Sequence, residues 1–353
     1  MRSLIINNLL LILFVFCSFS LVHSAEQSED VQQIFPGKTW EKRTPAEVGL
    51  NADLIDQFAE KVGGDGVIIR DGYLIKSWGN PQRRRDWASS CKPVVATLLM
   101  FAIQEGRLKS PDDLVRPWVQ RRWPGKDLVE KDRSMTFRHL ADMTSGYNRG
   151  EAPGTHWAYN DYGIMLYIHM MLEVFQSPLN DVAMTRLDKL EFEDGGVFGS
   201  RGGNGVDASP RDFARIGWFW LNHANWNGEQ LLPRELFDNC CQADVPLELP
   251  RTSSEGEDYL GIKTLGGGPN QSAEGPGIYG FNWWFNEPIG PDGELFMPHL
   301  PADAFQANGH WGKECMLMLP TQRIVIAARG RWGGTKLEHA KLIMEAIEDQ
   351  PTK

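Results

Sequence analysis

Strand-forming runs gather near the two ends of this chain and the long middle is helix-like, so a single sheet has to be assembled from both ends. Near the start, Val67-Ile68-Ile69 and Tyr73-Leu74-Ile75 flank Asp71-Gly72, a pairing that specifies a β-hairpin with a tight turn. Near the end, residues 280–285, 315–319 and 323–328 alternate or run apolar. Residues 51–62 show helical periodicity through Leu54, Ile55, Phe58 and Val62, and 337–348 read as an amphipathic closing helix. Residues 89–106 form an apolar helix in which Pro93 is tolerated because it lies in the first turn. From about 111 to 250, helical segments such as 162–175 and 210–222 are separated by Gly, Pro and Asn. The expected fold is therefore α/β (α+β): an antiparallel sheet flanked by helices, built from 45–115 and 255–350. A mostly helical subdomain, 116–254, is inserted between them, and the site lies in the cleft.

Composition narrows the partners. A net charge of −10 without a basic stripe disfavours phosphate backbones, so nucleic acid is excluded as the expected partner. The first residues combine Arg2, an apolar run over 9–16 and small residues around Val22-His23-Ser24, the layout of a signal peptide cleaved after Ser24. Asn7, Asn8, Ser18 and Ser20 break that stretch, so no stable membrane span is expected in the mature form. The mature chain would start with a polar segment, 25–44, and work in the periplasm or outside the cell. Cys91, Cys240, Cys241 and Cys315 would meet an oxidising compartment, and a Cys91–Cys315 disulfide and two buried thiols are both open. Neither the cysteines nor the histidines have metal-ligand spacing, and no cofactor is expected.

Ser89-Ser90-Cys91-Lys92 opens the apolar helix and puts a hydroxyl and an amine one turn apart on one face. A serine hydroxyl is a weak nucleophile until a neighbouring base takes its proton, and a partly desolvated lysine can do so. Taken alone, the pattern also describes a helix-cap serine beside a solvated lysine.

Further residues decide between the two. Arg70-Asp71-Gly72, Gln104-Glu105-Gly106-Arg107-Leu108 with Asp112-Asp113, and Thr144-Ser145-Gly146 resemble the serine β-lactamase and penicillin-binding-protein superfamily over about 67–330. That family includes class C β-lactamases, D-alanyl-D-alanine carboxypeptidases, related esterases and aminohexanoate-oligomer hydrolases. The resemblance implies that Tyr159-Asn160-Asp161 is the second catalytic element, with Tyr159 exchanging protons with Ser89 and Lys92. It implies that His310-Trp311-Gly312 lies on a strand lining the site. His310 would donate near the developing charge, and Gly312 would admit substrate close to the strand. The Ser89 and Lys313 N–H groups would form the oxyanion hole. Trp284 and Trp311 are expected to line the pocket. Asp161 departs from the family's asparagine at a substrate-contacting position, and an ionised carboxylate cannot donate to a substrate carbonyl.

The expected activity is hydrolysis of a small ester, amide or peptide through an acyl-enzyme on Ser89. A D-alanyl peptidase or β-lactamase proper, and a catalytically silent binding protein on the same fold, are the alternatives. The 13 tryptophans also admit a carbohydrate-active protein, although most occupy apolar strand or helix positions that suit core packing.

Overall fold

The structure, a computed structural model, describes residues 34–200, 205–264, 274–290 and 292–348; the expected signal peptide lies outside them. Asn51 caps the first helix, α1 (Ala52–Val62), by accepting the Leu54 N–H. Strands β1 (Asp65–Arg70) and β2 (Tyr73–Trp78) follow. Between them Asp71 and Gly72 hold φ of 51° and 84°, the left-handed geometry that a tight turn between right-twisted strands needs. Helix α2 (Lys92–Gln104) starts directly after a 3₁₀ turn, Ala88–Cys91. Two longer helices of the middle stretch are α3 (Asp161–Phe175) and α4 (Pro210–Leu221). The late strands are β3 (Tyr279–Gly280), β4 (Trp283–Phe285), β5 (Phe305–Gly309), β6 (Glu314–Leu319) and β7 (Ile324–Arg329), followed by α5 (Lys341–Glu345).

These strands make one antiparallel sheet in the order β2-β1-β7-β6-β5-β4-β3. The two ends of the chain meet at its centre, where Val67 stands opposite Ala327 and Ile69 opposite Val325. Every residue of β6 is buried, so both faces of the central strands are covered. Helix α4 packs on β7, β6 and β1. From α4, Trp220 donates its indole N–H to the Thr97 hydroxyl of α2 at 3.0 Å, and Phe213 packs on Trp87 with ring centroids 4.3 Å apart. Trp87, Trp157, Trp218, Trp220, Trp283 and Trp332 are fully buried, so core packing accounts for much of the tryptophan content.

The antiparallel sheet flanked by helices is as expected, with differences in detail. Helix α4 falls in the stretch assigned to the helical part, yet it lies on the sheet. The middle stretch also contains strands, Phe198–Ser200 and Gly205–Ala208, which join Arg85–Asp86 in a small second sheet. Residues 280–285 are not one strand: Phe281 and Asn282, at φ of 44° and 71°, form a turn between β3 and β4. The segment before residue 44 is polar in composition but partly docked. Trp40 is buried with its indole N–H on the Arg211 carbonyl, and Leu74 donates to the Glu41 carbonyl at 2.8 Å. Among the described residues none of the four cysteines is in a disulfide, so Cys91 and Cys315 are two buried thiols.

Candidate active site

The segment that carries Ser89 is held from behind. Trp87 anchors it by donating to the Ala208 carbonyl, and Ala88 sits at φ 48° with its N–H on Asp86 Oδ1 at 2.8 Å. A left-handed alanine is strained, and such strain persists only where the surroundings enforce it. Ser90 points away into the protein, donating to the Ala307 carbonyl at 3.2 Å and to the Glu314 carbonyl. Ser89 is the half-exposed member of the pair. Opposite placements of adjacent serines on a helical turn separate a tether from a solvent-facing hydroxyl.

Lys92 is buried and its ammonium has three protons for three oxygens. Nζ lies 2.6 Å from Ser89 Oγ, 2.8 Å from the Tyr159 hydroxyl and 3.4 Å from Asp161 Oδ1. Burial alone would lower its pKa, but the Tyr159 and Asp161 oxygens outweigh burial and hold it above the usual lysine value. Lys92 is therefore an ammonium at neutral pH. Asn160 is spoken for elsewhere. Its Oδ1 caps α3 by accepting the Tyr162 and Gly163 N–H groups, while its Nδ2 donates to the Tyr147 carbonyl at 2.6 Å. That leaves Tyr159 as the residue of this triplet that meets both Lys92 and the cleft.

Ser89, Tyr159, Trp284, His310 and Trp311 line one cleft, joined by Phe296, Gln306, Asn308 and Thr335. Trp284 stacks on Tyr159 with centroids 5.9 Å apart, and Trp311 stands at the rim, 60% exposed. Asp161 is not among the lining residues; its carboxylate faces Lys92.

The His310-Trp311-Gly312 motif is corrected. It is not on a strand but forms the turn between β5 and β6, with φ of 40°, 55° and 87°. Gly312 is tightly packed: a Cβ there would stand 2.3 Å from the Gly334 carbonyl oxygen. The Lys313 N–H donates to the Gly309 carbonyl at 3.0 Å, which closes the turn and removes it as an oxyanion donor. His310 Nδ1 sits 2.9 Å from Glu314 Oε2. A carboxylate there accepts from Nδ1–H and leaves Nε2 to the cleft.

Four lining residues had no individual signal in the sequence. Gln306 and Asn308 stand two apart on β5, the spacing of one strand face, but their polar side chains hid the strand that carries them. Phe296 and Thr335 come from irregular segments. Among the described residues no group of three or more His, Cys, Asp or Glu is placed to hold a metal ion, and no helix is long and apolar enough to cross a membrane.

Residues 51–187 match the family model described as Beta-lactamase. An uncharacterized protein of Alkalihalophilus pseudofirmus is 22% identical over 316 residues, which is 79% of this chain and 86% of that protein. Among solved structures, EstCE1, a hydrolase with promiscuous acyltransferase activity, is similar with a TM-score of 0.60 at 15% identity, over 86% of this chain and 97% of the other. A β-lactamase/D-alanine carboxypeptidase from Yersinia pestis is similar with a TM-score of 0.57 at 14% identity, over 87% and 100%. The fold is the one these proteins share, and the family-model match supports the superfamily to which the sequence motifs pointed.

Proposed function

We infer that this chain, a serine hydrolase of the β-lactamase and penicillin-binding-protein superfamily, forms an acyl-enzyme on Ser89 and favours simple esters over β-lactams. One observation carries the reading: a single buried ammonium lies within hydrogen-bond distance of both the Ser89 and the Tyr159 oxygens. While Lys92 keeps its proton it cannot take one from Ser89, so Tyr159 relays the proton, its oxygen receiving that of Ser89 as its own hydroxyl proton passes to the departing oxygen, with Lys92 holding the Ser89 and Tyr159 oxygens together. Ser89 Oγ attacks the carbonyl carbon, and its proton passes through the Lys92/Tyr159 pair to the departing alkoxide. Water then releases the acyl group with the same pair acting in reverse. Among the described residues the Ser89 and His310 N–H groups have no acceptor in the chain, and we assign them to the oxyanion, His310 taking the place expected of Lys313. No step needs a cofactor. Export is part of the proposal and rests on the sequence of residues 1–24.

The ester preference follows from Asp161. The amide donor that an asparagine at 161 would offer a substrate acylamino carbonyl is missing, because this carboxylate cannot donate and faces Lys92; the lost hydrogen bond costs about 1–3 kcal/mol, or roughly 5- to 150-fold. The test compares a short nitrophenyl ester with nitrocefin, and adds a fluorophosphonate label on wild type, Ser89→Ala and Ser90→Ala. We expect the ester to have the higher kcat/KM. Ser89→Ala should lose turnover and label, and Ser90→Ala should keep both at a lower melting temperature. Efficient nitrocefin hydrolysis by the wild type would refute the preference. Folded wild-type protein that takes no label would point to the silent binding protein instead.

A further inference from the structure

We propose that Asn308 determines substrate specificity by donating one side-chain N–H to a neutral acceptor oxygen in the acyl part of the substrate. The proposal rests on the serine-hydrolase reading above. Gln306 and Asn308 share a face of β5 and line the cleft with Ser89, Gln306 fully buried and Asn308 nearly so. Their amides form a chain with a defined direction. At one end Gln306 Nε2 donates to the Thr335 carbonyl at 2.9 Å and to Met297 Sδ at 3.2 Å. At the other, Asn308 Oδ1 accepts the Gly312 N–H at 2.9 Å, and between them Asn308 Nδ2 donates to Gln306 Oε1 at 2.7 Å. A backbone carbonyl can only accept and a backbone N–H can only donate, so flipping either amide sets like against like at one end of the chain.

With that direction set, Gln306 uses both of its N–H groups and Asn308 uses one of two. Among the described residues the second Asn308 N–H has no acceptor in the protein. A nearly buried donor without a partner costs stability unless water or a ligand satisfies it, and this one belongs to the wall that also holds the nucleophile. The acceptor it suits is neutral, because among the described residues no lysine or arginine lines the cleft to balance an anion; the other lining side chains are aromatic, hydroxyl, amide or His310. Asp161 cannot duplicate the role, since its carboxylate faces Lys92. The ligand class is therefore an ester whose acyl chain carries an ether or carbonyl oxygen near the scissile carbonyl.

Nitrophenyl methoxyacetate and nitrophenyl butyrate differ by one oxygen in place of one methylene and provide the test. Each kcat/KM is divided by the spontaneous hydrolysis rate of the same ester, which removes intrinsic reactivity. The wild type should favour the methoxyacetate on that scale. Asn308→Asp keeps an acceptor for the Gly312 N–H but loses the donor, whereas Asn308→Ala loses both. Each should lower the normalised methoxyacetate-to-butyrate ratio by about 3- to 10-fold. A wild-type ratio of one or less, or an unchanged ratio in Asn308→Asp, overturns the proposal. Equal loss on both esters in Asn308→Ala with no change in Asn308→Asp assigns the residue to holding the turn and likewise overturns it. If the wild type hydrolyses neither ester and takes no fluorophosphonate label, the hydrolase reading itself falls and this inference falls with it.

Discussion

A one-atom difference in one side chain separates this site from the pattern its motifs resemble. An asparagine at 161 would offer an amide to substrate, whereas the aspartate places a carboxylate oxygen 3.4 Å from Lys92. The pair is largely shielded from water, with side-chain exposures of 6% and 16%, so the charge is poorly screened. Removing it should lower the Lys92 pKa, because burial is then opposed by the Tyr159 oxygen without the carboxylate. If the ammonium is the active form, activity falls as pH rises through that pKa, so Asp161→Asn should move the alkaline limb of the kcat/KM profile to lower pH. The same substitution should narrow the gap between a nitrophenyl ester and nitrocefin. A limb that stays in place would separate Asp161 from the protonation of Lys92. Ser89, Lys92 and Tyr159 were legible in the sequence because two share a helical turn and the third sits at a helix start. The charge state of Lys92 was only partly so, because it depends on burial as well as on Asp161.

At the scale of elements, the hairpin β5–β6 was the least legible part of the site. The apolar run over 315–319 announced β6, but Phe305-Gln306-Ala307-Asn308-Gly309 mixes amides into a strand buried along its whole length. Such a strand is stabilised by its neighbours in the sheet and by the amide chain described above, neither of which local pattern reveals. The turn it leads into is similarly context-bound. His310 and Trp311 adopt left-handed backbone that non-glycine residues avoid, and Gly312 packs against Gly334. Gly312→Ala would combine an unfavourable φ of 87° with a methyl 2.3 Å from a backbone oxygen. We expect a lower melting temperature together with a fall in kcat/KM, since the turn carries two residues of the cleft. Wild-type stability and turnover in that variant would show that the turn can shift freely.

For the whole molecule, strands at both ends were enough to foresee one sheet closed by the chain's two ends, and the helix 210–221 was foreseen but misplaced. Nothing in Pro210–Leu221 itself says which layer it covers; its partners Met316 and Val325 are more than ninety positions away. One buried acid makes the stability of this assembly depend on pH. Asp142 is buried, accepts the Phe281 N–H at 2.7 Å and shares a hydrogen bond with Asp244. Burial, then the Asp244 charge, push its pKa well above the usual carboxyl value, with the Phe281 N–H and Arg138 opposing; Tyr167 and Cys240 lie nearby. A carboxyl whose folded pKa is raised binds its proton more tightly when folded. Its contribution is complete below about pH 4 and drains away as pH rises through the folded value. Asp142→Asn keeps an acceptor for Phe281 and a donor for Asp244 without the titration. The melting temperature should therefore fall less between pH 5 and 9 in Asp142→Asn than in the wild type, and parallel curves would exclude Asp142 as the cause.

The tether of Ser90 to the Ala307 carbonyl spans 217 positions of the chain, and β1 waits for β7 before it has a partner on its inner edge. Contacts of such separation form late and slowly, because the intervening chain must be brought to order first. As the polypeptide leaves the ribosome the serine emerges early, and the strands and turn that complete its cleft emerge near the end. A half-made chain thus holds a hydroxyl without a pocket. Under the mechanism proposed above, catalysis starts only at closure, so the first turnover of a new molecule dates the moment its sheet is finished.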